Sequence, residues 1–202
     1  IQARDAGFAV RADVIERGEQ FVLNNLSNKP SELAHWQANQ QAWFLFVLSE
    51  DSKAPADKLN ALFEERGKLS HFAKAYLAMA FGKGSDRVQP LMSDLNNAAI
   101  LSATGAHWEE NNYDWWSMNT DTRSTAMDIA AIARFDSDNP LGSQAVRWLM
   151  SVRNEGRWES TYETVWSLLG LVDWMVATGE LKADYSYAVS LNDRSLTQGT
   201  VD

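Results

Sequence analysis

The sequence predicts an all-α fold, a partial α/α toroid whose helical hairpins lie in an inner and an outer layer, with a short C-terminal β extension. Three observations predict it. Apolar residues recur at helical spacing from about residue 10 to residue 178. One apolar helix pattern returns in QAWFLFVLSE (41–50), KAYLAMAFGK (74–83), TAMDIAAIAR (125–134) and TVWSLLGLVD (164–173). Aligned, these bring together Ala42, Ala75, Ala126 and Val165, then Leu45, Ala78, Ile129 and Leu168, then Leu48, Phe81, Ile132 and Leu171. Finally, the period changes in ADYSYAVSLND (183–193), where Tyr185, Tyr187, Val189 and Leu191 share one face of a strand.

Taken in order, helices are expected at about 10–26, 31–49, 55–67, 69–83, 87–104, 121–136, 140–154 and 161–178. Ser31 and Ser160 stand where N-caps are expected, and Pro55 and Pro140 suit first turns. Gly82, Gly105, Gly156 and Gly179 fall at or near helix ends. Connections are short apart from one loop, about 106–119 (HWEENNYDWWSMNT). LNDRSL then reads as a turn into a second strand. Two units follow: a helical domain over 1–182, and the start of a β domain or extension over 183–202.

The uneven spacing of the four segments excludes a regular solenoid and suits helical hairpins with variable loops. The first helix of a pair is one-sided, with Val88, Leu91, Met92, Leu95 and Ala99 inward. The second is apolar nearly all round: Tyr162, Val165, Leu169, Val172 and Val176 line one face, and Leu168, Leu171 and Met175 another. A helix buried on two sides must lie between two layers. A wet side along 168–176 would contradict this double-walled reading.

Composition narrows the function. The net charge is −9 with scattered basic residues, which argues against a nucleic-acid surface. Cysteine is absent, so disulfides, thiolate metal sites and cysteine nucleophiles are excluded within this sequence. No apolar run approaches the roughly 20 residues of a membrane helix. The chain begins at Ile1 with neither Met nor a signal-peptide pattern, as expected of a segment of something larger.

AVRWLMSVRNEGRWESTYETVWSLLGL (145–171) carries Trp148, Leu149, Arg153, Gly156, Trp158, Ser160, Thr161, Glu163 and Thr164 in a spaced pattern. It resembles the end of the thioester domain in the alpha-2-macroglobulin and complement family. One family glycine position holds Glu155 instead, a departure confined to the turn. Upstream, HWEE (107–110) and STAMDIAAIARF (124–135) resemble further family segments. The combination HWEE, RSTA (123–126), RWLMSVR (147–153), ETVW (163–166) and ATGEL (177–181), followed by YSYAVSLND, is most similar to the bacterial branch, over roughly 80–190 and more loosely over 8–80.

The resemblance implies an α/α toroid leading into β domains. It also implies a broad-spectrum protease inhibitor that traps its target, located in the periplasm, cell envelope or outside the cell. The expected partners are trapped proteases and neighbouring β domains of the same chain. Neither a cofactor nor turnover is expected. Family members with an active thioester carry Cys-x-Glu-Gln, which this sequence lacks; RGEQ (17–20) has Arg17 at the cysteine position and reads as helix surface. The motif is expected upstream of Ile1, unless the protein is one of the members without it.

Among the motif residues, Trp108, Gly156, Trp158, Ser160, Thr161, Glu163 and Thr164 read as structural: helix-end packing, with Ser160 and Glu163 as a capping box. His107 and Glu109 are weak candidates for acid–base or metal chemistry, and His35 and His71 have no ligand at zinc spacing. No metal or cofactor site follows. The alternative is a toroid glycoside hydrolase or terpenoid cyclase-like enzyme with an acid-lined cavity. Glu109, Asp114, Asp121, Asp128 and Glu163 would supply its acids. Tyr113, Trp115 and Trp116 are expected to plug one end of the ring or pack within the molecule, with an exposed partner patch as the other possibility.

Overall fold

A computed structural model of the chain describes residues 1–180, 185–192 and 194–201. Its helices are α1 (Gln2–Asp5), α2 (Ala12–Asn24), α3 (His35–Ser49), α4 (Ala56–Glu64), α5 (His71–Phe81), α6 (Val88–Ala98), α7 (Asp121–Phe135), α8 (Pro140–Ser151) and α9 (Thr161–Thr178). Four short strands, β1 (Ile100–Ser102), β2 (Gly105–His107), β3 (Tyr185–Leu191) and β4 (Arg194–Val201), form two antiparallel hairpins. Residues 183 and 184, at the start of the expected strand, lie outside the described residues. Among those described, no helix is long and apolar enough to cross a membrane.

The helices pack as a row with flanks. α3, α5, α7 and α9 contact one another in turn, and α4, α6 and α8 each touch the two row helices that precede and follow them. α3, α5 and α7 bury most of their circumference, α7 from Arg123 through Ala133 without a break. The flanking helices bury one stripe each, as Val88, Leu91, Met92 and Leu95 do in α6. That difference between one-sided and two-sided helices is the sequence pattern made physical.

α9 departs from it. Its buried stripe is Glu163, Ser167, Gly170 and Trp174, while Val165, Leu168, Leu169, Val172 and Val176 are exposed. The 168–176 segment is therefore wet along one side, contrary to the two-sided burial expected of it. Small residues explain the choice of face. A Cβ on Gly170 would stand 2.4 Å from the Ala126 carbonyl oxygen, so α7 and α9 approach backbone to side. Periodicity counts large apolar residues and misses that the small ones make the closest contact.

Two further expectations are corrected. The helix expected over 31–49 begins at His35, after a 3₁₀ turn at Pro30–Glu32, so Ser31 is not its cap; the Gln37 side chain instead accepts from Ala34 N–H at 2.9 Å. The helix expected over 87–104 stops at Ala98, and 100–107 fold as the β1–β2 hairpin. Gly105, at φ +138°, lets that hairpin lie on α8: a Cβ there would meet the Gln144 carbonyl oxygen at 2.1 Å.

Candidate functional site

Two tryptophans close the corners after flanking helices in the same way. Trp108 is fully buried and donates its ring N–H to the Leu95 carbonyl at 2.7 Å, in the last turn of α6. Trp158 donates to the Leu149 carbonyl at 2.9 Å, in the last turn of α8. Each indole thus satisfies a carbonyl that has no partner within its own helix. Gly156 (φ +82°) and Glu155 (φ +51°) turn the chain before Trp158, and Arg153 donates to the Gly156 carbonyl at 2.9 Å. Glu155 holds a left-handed conformation that favours glycine.

Ser160 caps α9: its hydroxyl accepts from Glu163 N–H at 3.1 Å, and the Glu163 carboxylate accepts from Ser160 N–H at 3.2 Å. Thr161 opens the helix, and Thr164 N–H donates to the Ser160 carbonyl at 3.0 Å. Ser160→Ala is expected to cost about 1 kcal/mol of stability, read by urea denaturation; a change near zero would show that tertiary packing alone holds this helix end.

The first turns of α3, α5, α7 and α9 meet at one mouth. Trp36, Phe72, Arg123 and Tyr162 line a shared cavity there. The 108–120 loop covers part of it and is held by its own side chains. Glu110 accepts from His71 N–H (3.0 Å) and the Ser124 hydroxyl (2.5 Å), and its N–H donates to Asp121 (2.9 Å). Asp114 accepts from Trp116 N–H (2.9 Å) and the Ser117 hydroxyl (2.7 Å). The Ser117 carbonyl accepts from Arg123 (2.7 Å) and the Tyr162 hydroxyl (3.3 Å). Burial pushes the His71 imidazole below its ordinary range and the Tyr76 phenol, behind the mouth, up to about 12.

The aromatic loop does not plug this end. Trp115 and Trp116 are 76% and 74% exposed, and Tyr113 also faces solvent. Trp116 stacks on Trp36 at 5.5 Å between ring centres. Asp114 and Asn119 tie the loop's backbone at Asn112, Asp114 and Trp116, while its rings stay largely exposed.

His107 and Glu109 lie apart from the mouth. The imidazole stacks on Trp148 at 4.6 Å, and its Nε2 lies 3.1 Å from the Glu109 carboxylate. Among the described residues, no group of three or more His, Cys, Asp or Glu could hold a metal ion. Asp114, Asp121 and Glu163 are engaged as loop and cap acceptors, and Asp128 is sealed in the core. A second cavity, on the free side of the row, contains Glu50 and Asp173 among apolar walls from α3, α5, α7 and α9. None of the five nominated acids lines either cavity.

Asp128 is fully buried, and neither carboxyl oxygen has a hydrogen-bond partner. Burial, reinforced by Glu110, raises its pKa well above the usual range. The folded chain therefore keeps this proton where the unfolded chain releases it. Its contribution to stability is complete below about pH 4 and is lost as pH rises towards the folded pKa. Asp128→Leu is expected to raise stability at neutral pH by about 1–3 kcal/mol, and to flatten the decline of stability above pH 4. Denaturation across pH checks both; a destabilised Leu variant would mean that the carboxyl has an important partner.

No protein-family model matches the sequence, and none of the curated proteins matches it. Solved structures do. The chain is similar to native alpha-2-macroglobulin from Escherichia coli, spanning domain MG7 to the C-terminus, at 17% identity and a TM-score of 0.65, over 98% of this chain and 31% of that one. The Escherichia coli protein activated by porcine elastase matches at 19% identity and 0.64, over 98% of this chain and 18% of that one. Salmonella alpha-2-macroglobulin reacted with methylamine matches at 19% identity and 0.64, over 98% and 13%. This chain has the fold of a segment of bacterial alpha-2-macroglobulins, and it spans less than a third of each of these three chains.

Proposed function

We propose that the chain is the later part of the thioester-like helical domain of a bacterial alpha-2-macroglobulin-like protease trap. The observation that carries this reading is the superposition of 98% of the chain on such proteins, together with the motif resemblance over 145–171. In this reading residues 1–182 form an arc of an α/α toroid and 183–202 begin a β domain. Further helices cover the exposed valines of α9 and complete the ring; the wet side of α9, which speaks against a double wall within this chain, fits the reading only with those helices in place. The domain is a scaffold without turnover. It shields a thioester supplied from elsewhere in the protein, or serves in a member that lacks one. Cleavage of a bait by a protease drives the enclosure, in the periplasm, cell envelope or outside the cell.

The test is a protection assay on the full-length gene product with trypsin or elastase. The trapped protease is expected to keep cleaving a small chromogenic peptide while becoming inaccessible to a macromolecular inhibitor. Loss of small-peptide cleavage, or no change in access for the large inhibitor, would overturn the reading.

A toroid hydrolase or cyclase is the second reading, and Glu50 with Asp173 in one cavity is the observation that favours it. It requires a reaction abolished by Glu50→Gln or Asp173→Asn in a folded chain.

A further inference from the structure

Arg123 is a buried cation in an unfavourable place. It is 4% exposed and sits in the first turn of α7, where the positive end of the helix dipole disfavours a cation by about 0.3–1 kcal/mol. The first turns of α3, α5 and α9 contribute residues to the same cavity, so their positive ends add to the field. Among the described residues no carboxylate pairs with Arg123. Its one side-chain hydrogen bond among them runs from Nη1 to the Ser117 carbonyl, and its buried Nε has no partner.

Rings replace the counter-ion in part. The guanidinium lies 4.0 Å from the Phe72 ring centre, 5.1 Å from that of Tyr162 and 5.7 Å from that of Trp166. Ring faces attract a cation but do not neutralise it. The acids around the mouth are engaged by neutral donors: Glu163 by Ser160 N–H, Asp114 by Trp116 N–H and the Ser117 hydroxyl, Asp121 by Glu110 N–H, and Glu110 by His71 N–H and the Ser124 hydroxyl. Carboxylates stand at the mouth, but among the described residues none pairs directly with the guanidinium.

Beside Arg123 lies a cavity of about 270 Å³ walled by Trp36, Phe72, Trp116, Tyr162 and Trp166. That volume is at the lower limit of ligand pockets, enough for a body the size of one amino-acid residue. Its polar equipment is sparse. The Asn39 amide is used at both ends by Ser70, which leaves Gln40, two hydroxyls, the indole N–H groups of the walls and, as the one cation, the arginine. A phosphate would need more cations. One cation in an aromatic box matches one carboxylate on an apolar stem.

We infer that this mouth pocket binds a monocarboxylate carried on an aromatic or aliphatic body, with the carboxylate on Arg123 and the body against the Trp36–Trp116 pair and Trp166. The acid comes either free or as the C-terminal residue of a polypeptide; both present the same chemistry. The inference is independent of the protease-trap reading, and a failed protection assay would leave it standing.

Calorimetric titration of the 202-residue chain tests it, with 3-phenylpropionate against 3-phenylpropanamide, and N-acetyl-Gly-Phe with a free against an amidated C-terminus. At least one acid is expected to bind with a Kd of about 1 mM or tighter, and its amide at least about tenfold more weakly. Tighter binding of the small acid identifies a free ligand, and tighter binding of the peptide identifies a polypeptide end. Trp116→Ala, at an exposed rim position that the fold does not need, is expected to weaken the acid several-fold. Arg123→Gln, where circular dichroism shows it folded, is expected to abolish the preference for acid over amide. Equal binding of acid and amide, no binding of either acid, or an affinity untouched by Trp116→Ala would overturn the inference.

Discussion

Trp108→Ala is expected to destabilise the chain by about 3–5 kcal/mol, enough to leave a marginal domain largely unfolded. Two losses combine. The indole is fully buried among the core helices, so its removal opens a cavity that helix ends cannot collapse into. The Leu95 carbonyl also loses its partner at the end of α6. Trp108→Phe separates the two, keeping most of the ring volume but orphaning the carbonyl, and should cost about 1–3 kcal/mol. The comparison is Trp115→Ala, 76% exposed, which should stay within about 0.5 kcal/mol of the parent. Urea denaturation of the three variants decides the matter. A Trp108→Ala chain as stable as Trp115→Ala would remove the corner seal from this account.

Gly170→Ala should reverse the usual sign of a helix-interior glycine substitution. Ordinarily alanine gains about 1 kcal/mol over glycine inside a helix. At position 170 the added Cβ would stand 2.4 Å from the Ala126 carbonyl oxygen and 3.1 Å from its carbon, both backbone atoms of α7. Neither atom can move without separating α7 from α9. The expected net effect is a loss of about 1–3 kcal/mol, larger still for Gly170→Val. Gly18→Ala in α2 supplies the opposite sign, because nothing lies within 4 Å of a Cβ there. It should stabilise by about 0.5–1 kcal/mol. Thermal melts that move both alanine variants in the same direction would contradict the close α7–α9 approach.

These two positions also mark the limits of what is legible in the sequence. The bounds of α9 can be read locally, since Ser160 with Glu163 opens it and Gly179, at φ +75°, ends it. Burial along α9 cannot, because hydrophobic periodicity weights Val172 and Val176 above Ser167 and Gly170. The β1–β2 hairpin escapes for a related reason: Gly105 takes its conformation from the backbone of α8, a contact distant in sequence. In the aromatic loop, the tendency of rings to pack inward misleads, because Asp114 and Asn119 brace the loop from within.

Arg123, within RSTA (123–126), carries no role that the sequence assigns to it. One local signal marks it: a basic residue in a first turn, where acids are favoured. Its burial depends on Phe72 and Tyr162, which belong to helices far along the chain, and no local pattern reports that.

The exposed edge of α9 offers the most direct measurement of the ring claim. The chain has no cysteine, so Val172→Cys places one thiol of known location on that edge. Maleimide labelling of residue 172, followed by peptide mass spectrometry, should be rapid in the 202-residue chain and on the order of tenfold or more slower in the full-length gene product. Equal rates in the two would mean that α9 borders solvent in the whole protein and that no ring closes over it.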